Sequence, residues 1–98
     1  MENYELRNNK DEKQYEFQIG NYTAKIEYII TNKGDIYLTH TEVPVALEGK
    51  GIGSQLAEKT LKDIESLELK LVPLCPFIAG YVRKNPEWKK IMKEGVSI

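Results

Sequence analysis

Between residues 36 and 74 the hydrophobic period changes twice, and that change limits the folds open to the chain. Residues 35–43 alternate, with Ile36, Leu38 and His40 on one side and Tyr37, Thr39 and Thr41 on the other. A loop from Pro44 to Lys50 follows. From Gly51, the residues Ile52, Leu56, Ala57, Leu61 and Ile64 fall on a single helical stripe that should end near Ser66. Residues 67–74 return to strand period, with Leu67, Leu69 and Leu71 set against Glu68 and Lys70. Strand, loop, helix and strand in this order predict two parallel strands joined by a right-handed crossover. The two strands need not stay adjacent along their whole length.

The residues ahead of this unit have a different texture. A short strand is expected over residues 4–7, with a turn over 8–12. Tyr15, Phe17 and Ile19 alternate with Glu16 and Gln18, and Gly20-Asn21 is a tight-turn pair. Residues 22–31 place Ala24, Ile26, Tyr28 and Ile30 on one face, and Asn32-Lys33-Gly34 turns the chain again. Two short connections in succession predict an antiparallel meander. Downstream, Pro73-Leu74-Cys75-Pro76 closes the second parallel strand. Phe77, Ile78, Tyr81 and Val82 then recur at helical spacing. Asn85-Pro86-Glu87-Trp88 reads as a helix start, with Asn as cap and Trp88, Ile91 and Met92 as its buried stripe. The expected fold class is α+β (mixed α/β). It is a mixed sheet with an antiparallel meander plus one parallel strand pair joined by a helix, two to three helices in all, in a single domain over residues 1–98.

Composition narrows the partners. The 98 residues carry 14 basic and 15 acidic side chains, a formal net charge of −1. A nearly neutral chain offers no bulk attraction to nucleic acid or to an anionic membrane, so neither is expected as a partner. A chain this short buries roughly 60–65 % of its unfolded surface, which favours a ligand site on an open groove. The single cysteine, Cys75, can form no internal disulfide. With a polar opening segment that has no apolar signal region, it suggests a reducing, cytoplasmic setting. No metal site is expected.

The stretch EGKGIGS, residues 48–54, sets Gly49, Gly51 and Gly53 at the start of the predicted helix. Glycine lets backbone N–H groups approach a ligand closely, and the first N–H groups of a helix lack internal partners and carry about half a positive charge. A strand, a glycine loop and a helix start therefore make an anion site, and Lys50 adds a cation. The spacing is not that of a Walker loop, and Ser54 and Leu56 leave the dinucleotide fingerprint incomplete.

Two further side chains share this end of the sheet. Cys75 precedes Pro76, which makes it the N-cap of the next helix, where N–H groups favour a thiolate. His40 lies late in the parallel partner strand, near the crevice where such sheets bind ligands. Glu42 shares a face with His40. The basic run with Arg83, Lys84, Lys89, Lys90 and Lys93 is read mainly as a solvated face.

Residues 39–54, THTEVPVALEGKGIGS, and 72–88, VPLCPFIAGYVRKNPEW, together closely resemble the small stand-alone acetyltransferase-like branch of the GNAT superfamily. The resemblance covers roughly residues 4–93. It implies that the loop holds the pyrophosphate of acetyl-CoA, with coenzyme contacts from Val43, Lys50, Gly51, Ile52, Gly53, Ser54, Tyr81, Lys84 and Asn85. It implies His40 and Cys75 as active-site residues. His40 would act as general base for direct attack by an amine, or Cys75 would carry the acetyl group first. The acceptor would be a small-molecule or protein amine, and the protein a monomer or weak homodimer. Glu48 departs from the Gln or Arg usual in this motif, and the helices that usually shape the acceptor site have no room here. The backbone donors of the loop do not depend on residue 48. The alternatives are a non-catalytic CoA- or acyl-CoA-binding module and a protein-interaction domain that pairs through a sheet edge.

Overall fold

The alternating residues 14–42 form three strands of one meander in the computed structural model, which describes residues 3–98. The strands are β1 (Arg7–Asn9), β2 (Gln14–Ile19), β3 (Tyr22–Ile30), β4 (Asp35–Glu42) and β5 (Lys70–Pro73). They lie in the order β1-β2-β3-β4-β5, antiparallel up to β4 and parallel between β4 and β5. Helix α1 (Ile52–Ser66) joins the parallel pair, and α2 (Pro76–Lys84) follows β5. Short 3-10 turns occupy Val45–Leu47 and Pro86–Ile91. The mixed α+β architecture expected from the periodicity is the one observed. Among the described residues no helix is long and apolar enough to cross a membrane.

One face of the sheet carries the core. Tyr15, Phe17, Ala24, Ile26, Ile36, Leu38 and Leu71 are wholly buried in one cluster with Leu56, Ala57, Leu61 and Ile64 of α1 and Ile78 and Val82 of α2. Tyr15 also ties β2 to α1, because its hydroxyl donates to Asp63 Oδ2 at 2.6 Å. At the far edge, Met92 bridges to Leu71 and the Lys93 N–H donates to the Leu71 carbonyl at 2.9 Å. Lys93 Nζ reaches Asp35 Oδ2 at 2.7 Å, and that bond and charge raise the lysine's pKa.

Several local expectations need correction. The first strand is Arg7–Asn9, not residues 4–7, because Asn8 pairs with Tyr15 and takes the Tyr28 hydroxyl on its Oδ1 at 2.6 Å. Strand period in residues 67–69 was an accident of helix termination. Leu67 N–H donates to Asp63 and Leu69 N–H to Ile64, with Glu68 between them at φ 58°, so these residues close α1 and β5 starts only at Lys70. The last helix is a 3-10 turn. Asn85 holds the N-cap position and its carbonyl accepts the Trp88 N–H at 3.1 Å, but its side chain makes no cap bond; its Nδ2 donates back to the Tyr81 carbonyl at 3.0 Å and finishes α2. Ile30 does not continue the buried row of β3 and lies exposed.

Leu61 has no solvent exposure, so Leu61→Ala should cost about 2–5 kcal/mol in denaturant unfolding. Tyr15 supplies a pH-dependent test. Burial first, and then the bond and charge of Asp63, hold its phenol far above the usual value of about 10. The stabilised form is the neutral one, so its contribution is complete below about pH 10 and is lost as pH rises beyond it. Alkaline unfolding followed by circular dichroism should show this loss, and Tyr15→Phe should flatten it while costing about 1–3 kcal/mol at neutral pH.

Candidate active site

The end of the sheet where β4 and β5 finish is built by the glycine loop. Gly49 and Gly51 both lie in the left-handed region, at φ 80° and 72°, which turns the chain from the Val45–Leu47 segment into α1. Gly51 is the N-cap and brings no side chain to it. The first helical bond runs from the Gln55 N–H to the Gly51 carbonyl at 3.1 Å, so the N–H groups of Ile52, Gly53 and Ser54 precede any helical partner. Gly53 is glycine for a different reason. A Cβ there would stand 2.9 Å from Cζ of Phe77 on α2, so the missing side chain lets the two helices meet.

Three adjoining depressions run across this junction and share Ser54. The first, about 360 Å³, is lined by Val43, Gly51, Ile52, Gly53, Ser54 and Phe77, and also by Glu48. The second, about 270 Å³, continues along α2 past Phe77, Tyr81 and Lys84. The third, about 410 Å³, runs down α1 past Gln55 and Lys59 and is shared with Tyr81. The groove thus gathers Val43, Gly51, Ile52, Gly53, Ser54, Tyr81 and Lys84. Lys50 is exposed outside the lining, and Asn85 spends its side chain on α2. Burial raises the pKa of the Tyr81 phenol, with smaller contributions from Glu58 and Glu87. Phe77 is the groove residue that sequence reasoning passed over. The signal was present as an aromatic one residue after the helix-starting Pro76, but the sequence could not show that this side chain stays exposed on the groove beside Gly53.

His40 and Cys75 end on opposite faces of the sheet. Glu27 pairs with His40 but Tyr28 pairs with Leu38, so Thr39 is an extra residue on β4. Its hydroxyl donates to the Glu27 carbonyl at 3.3 Å. One extra residue reverses the alternation beyond it. The expected row Ile36, Leu38, His40 is therefore broken: Thr41 turns inward instead, and its Oγ1 accepts from Cys75 Sγ at 3.2 Å. His40 turns outward beside Glu42, with Nε2 at 3.7 Å from Oε1 and both side chains more than half exposed. Lys25 lies on the same face, 3.0 Å from Glu27 and 3.8 Å from Glu42.

Cys75 is the N-cap of α2 with Pro76 at the first helical position, as the sequence implied. Its sulfur, however, makes no bond to the helix N–H groups; it sits 4 % exposed against Thr41. Its own N–H donates to the Leu38 carbonyl at 2.9 Å, the last tie between the parallel strands. Beyond it β4 continues to Glu42 paired with β3 alone. The strands part there, between the groove on one face and the His40–Glu42 pair on the other.

A mixed sheet that parts beside a glycine-capped helix N-terminus and an open groove defines the class of this domain, an α+β fold with one parallel strand pair. Residues 14–91 match the family described as GCN5-related N-acetyl-transferase, and the chain belongs to it. Among curated proteins it is similar to Protein NATD1 of Xenopus tropicalis, 36 % identical over 63 residues, and to that of Homo sapiens, 38 % over 63 residues. These alignments take in 64 % of this chain but only 58 % and 56 % of those proteins. The chain thus spans little more than half the length of these relatives. The Danio rerio relative is 33 % identical over 85 residues, 83 % of this chain and 77 % of that one. The solution structure of a GCN5-like protein from Staphylococcus aureus shares the fold, with a TM-score of 0.71, 23 % identity, and coverage of 95 % of this chain and 91 % of that one.

Two measurements check this geometry. Cys75 should react with a thiol reagent far more slowly in the folded protein than in denaturant, and Thr41→Val should speed the folded reaction by removing its oxygen partner. Gly51→Ala should destabilise the fold by roughly 1–2 kcal/mol, because a Cβ is unfavourable at positive φ.

Proposed function

We propose that this protein is an acetyl-CoA-dependent N-acetyltransferase that transfers the acetyl group to an amine. The observation that carries this reading is the bare, glycine-capped start of α1, opening on a groove walled by α2, in a chain of the GCN5-related family. The residues present fit the coenzyme. The N–H groups of Ile52, Gly53 and Ser54, which have no partner among the described residues, suit a pyrophosphate, and the half-charge of the helix end attracts it. Lys84 adds a full positive charge further along the groove. Val43 and Phe77 offer apolar walls. Glu48 on the lip and Glu58 on α1 oppose the anion, so binding rests on backbone donors and Lys84 against two exposed carboxylates.

Bound acetyl-CoA would supply an acetyl thioester. The chain's own side chains then divide the remaining work. His40 Nε2, exposed and 3.7 Å from Glu42 Oε1, takes the proton that the acceptor amine loses. The acceptor approaches from the open sheet face, where both side chains lie. Burial of Cys75 against Thr41 favours direct transfer over an acetyl-cysteine.

Titration with CoA and acetyl-CoA, read at backbone amides, tests the binding. Residues 50–54 should shift, and silence there with both ligands overturns the proposal. Glu48→Gln should tighten CoA binding several-fold, most visibly at low salt. With an amine panel, His40→Ala should lower kcat/KM about 10²–10⁴-fold, while Cys75→Ala should leave turnover nearly intact. A large loss in Cys75→Ala with acetyl found on Cys75 would instead establish the covalent route.

A further inference from the structure

The opposite end of α1 carries a second cavity, of about 340 Å³, that the acetyl-transfer reading does not use. Fifteen helical residues separate it from the glycine loop, roughly 22 Å at the helical rise. The cavity lies where the β1–β2 turn, the end of β3 and the close of α1 meet. Its lining includes Lys10 and Lys13 from the turn, Tyr28, Ile29 and Ile30 from β3, and Leu67.

The apolar lining is exposed where a folded chain would ordinarily cover it. Ile29, Ile30 and Leu67 keep 56 %, 46 % and 51 % of their surface open. Scattered exposed apolar side chains are ordinary, but these three share one concavity of ligand-binding size. The two lysines at its margin form no ion pair among the described residues, whereas Lys25, Lys62, Lys90 and Lys93 all do. Lys13 is also held in place: its backbone is left-handed at φ 56° and its carbonyl accepts the Tyr28 N–H at 3.0 Å. Asn8, also in the lining, takes the Tyr28 hydroxyl on Oδ1, which leaves its amide N–H groups for another acceptor.

Charges of the other sign lie nearby but outside the lining; Asp63 acts on Tyr28 and accepts the Tyr15 hydroxyl on Oδ2. Asp11 and Glu12 belong to the same turn but do not line the cavity, and neither does Glu68. The C-terminal end of α1 carries about half a negative charge, and its carbonyls of Asp63, Ile64 and Glu65 are already bonded by the N–H groups of Leu67, Leu69 and Glu68. Lys10 and Lys13 are the two whole charges in the lining itself, and no carboxylate is part of it.

The geometry points to a binding site here for a small amphipathic anion, one carboxylate or phosphate group on an apolar body. The apolar part covers Ile29, Ile30 and Leu67, and the acidic group sits between Lys10, Lys13 and the Asn8 amide.

Backbone-amide titration of the full chain with octanoate, octyl phosphate and octanol tests it. Saturable shifts at Asn8, Ile29, Ile30 and Leu67 are expected with an anion, while residues 50–54 stay still. The anion that binds more tightly identifies the acidic group. The Lys10→Glu, Lys13→Glu double variant should weaken the anion at least about tenfold, and the Lys10→Arg, Lys13→Arg variant should keep it. These side chains are on the surface, so both variants should fold, which the unliganded spectra check. The proposal is overturned if neither anion saturates, if octanol binds as well as the anions, or if the anions shift residues 50–54 instead. It is also overturned if the same amides move with protein concentration alone, which would make the face a contact between two copies. CoA binding is read separately, at residues 50–54 with CoA itself, so failure here and failure of that reading are distinguishable.

Discussion

Four residue pairs between β4 and β5, from Asp35–Lys70 to Leu38–Pro73, hold the rest of the site in place. Parallel strands cannot be joined by a tight turn, so the chain must return along the length of the sheet, and α1 is that return. Its N-terminus therefore lies at the end where β4 finishes and α2 begins. The pairing stops early because Pro73 has no N–H to extend the ladder and Cys75 turns in to bond Leu38. The parting of the strands, the groove beside α2 and the exposed end of β4 all follow from that short ladder.

The bulge at Thr39 makes the second decision. Side chains of a strand alternate with period two, so one inserted residue exchanges everything beyond it between the two faces. Thr41 thereby meets Cys75 inside, and His40 joins Lys25, Glu27 and Glu42 outside. The proposed base on the outer face and the proposed anion site on the inner one can serve a single reaction only where the sheet is open between them. That opening exists because β5 has already ended.

Helix α1 presents contrasting ends. At its start a glycine cap leaves N–H groups without a partner among the described residues, beside a groove. At its close a left-handed Glu68 lets three backbone bonds consume the final carbonyls. The first end offers donors and partial positive charge to an anion. The second needs the lysines of a neighbouring turn to do the same, and the cavity there is correspondingly more apolar. Glu48 works against the first site, so its capacity rests on backbone geometry more than on side-chain charge.

Much of this was legible in the residues. The period change at residues 36–74, the tight turns and the stripe of α1 determined a meander followed by a parallel pair, because alternation and helical spacing are local properties of the chain. The loop spacing and the two quoted segments determined the GNAT resemblance. The side-chain directions at the site were not legible. No local signal marks the extra residue at Thr39, since its cause is pairing with Glu27 on another strand. Leu67 imitates a strand residue because a helix can close through a left-handed glutamate as well as through glycine. The same holds for Gly53, whose need for a bare Cα comes from Phe77 across the junction. The sequence by itself thus determined which elements form and in what order. Only the tertiary structure decided which faces His40, Thr41 and Cys75 share, because face and contact depend on partners distant in the chain.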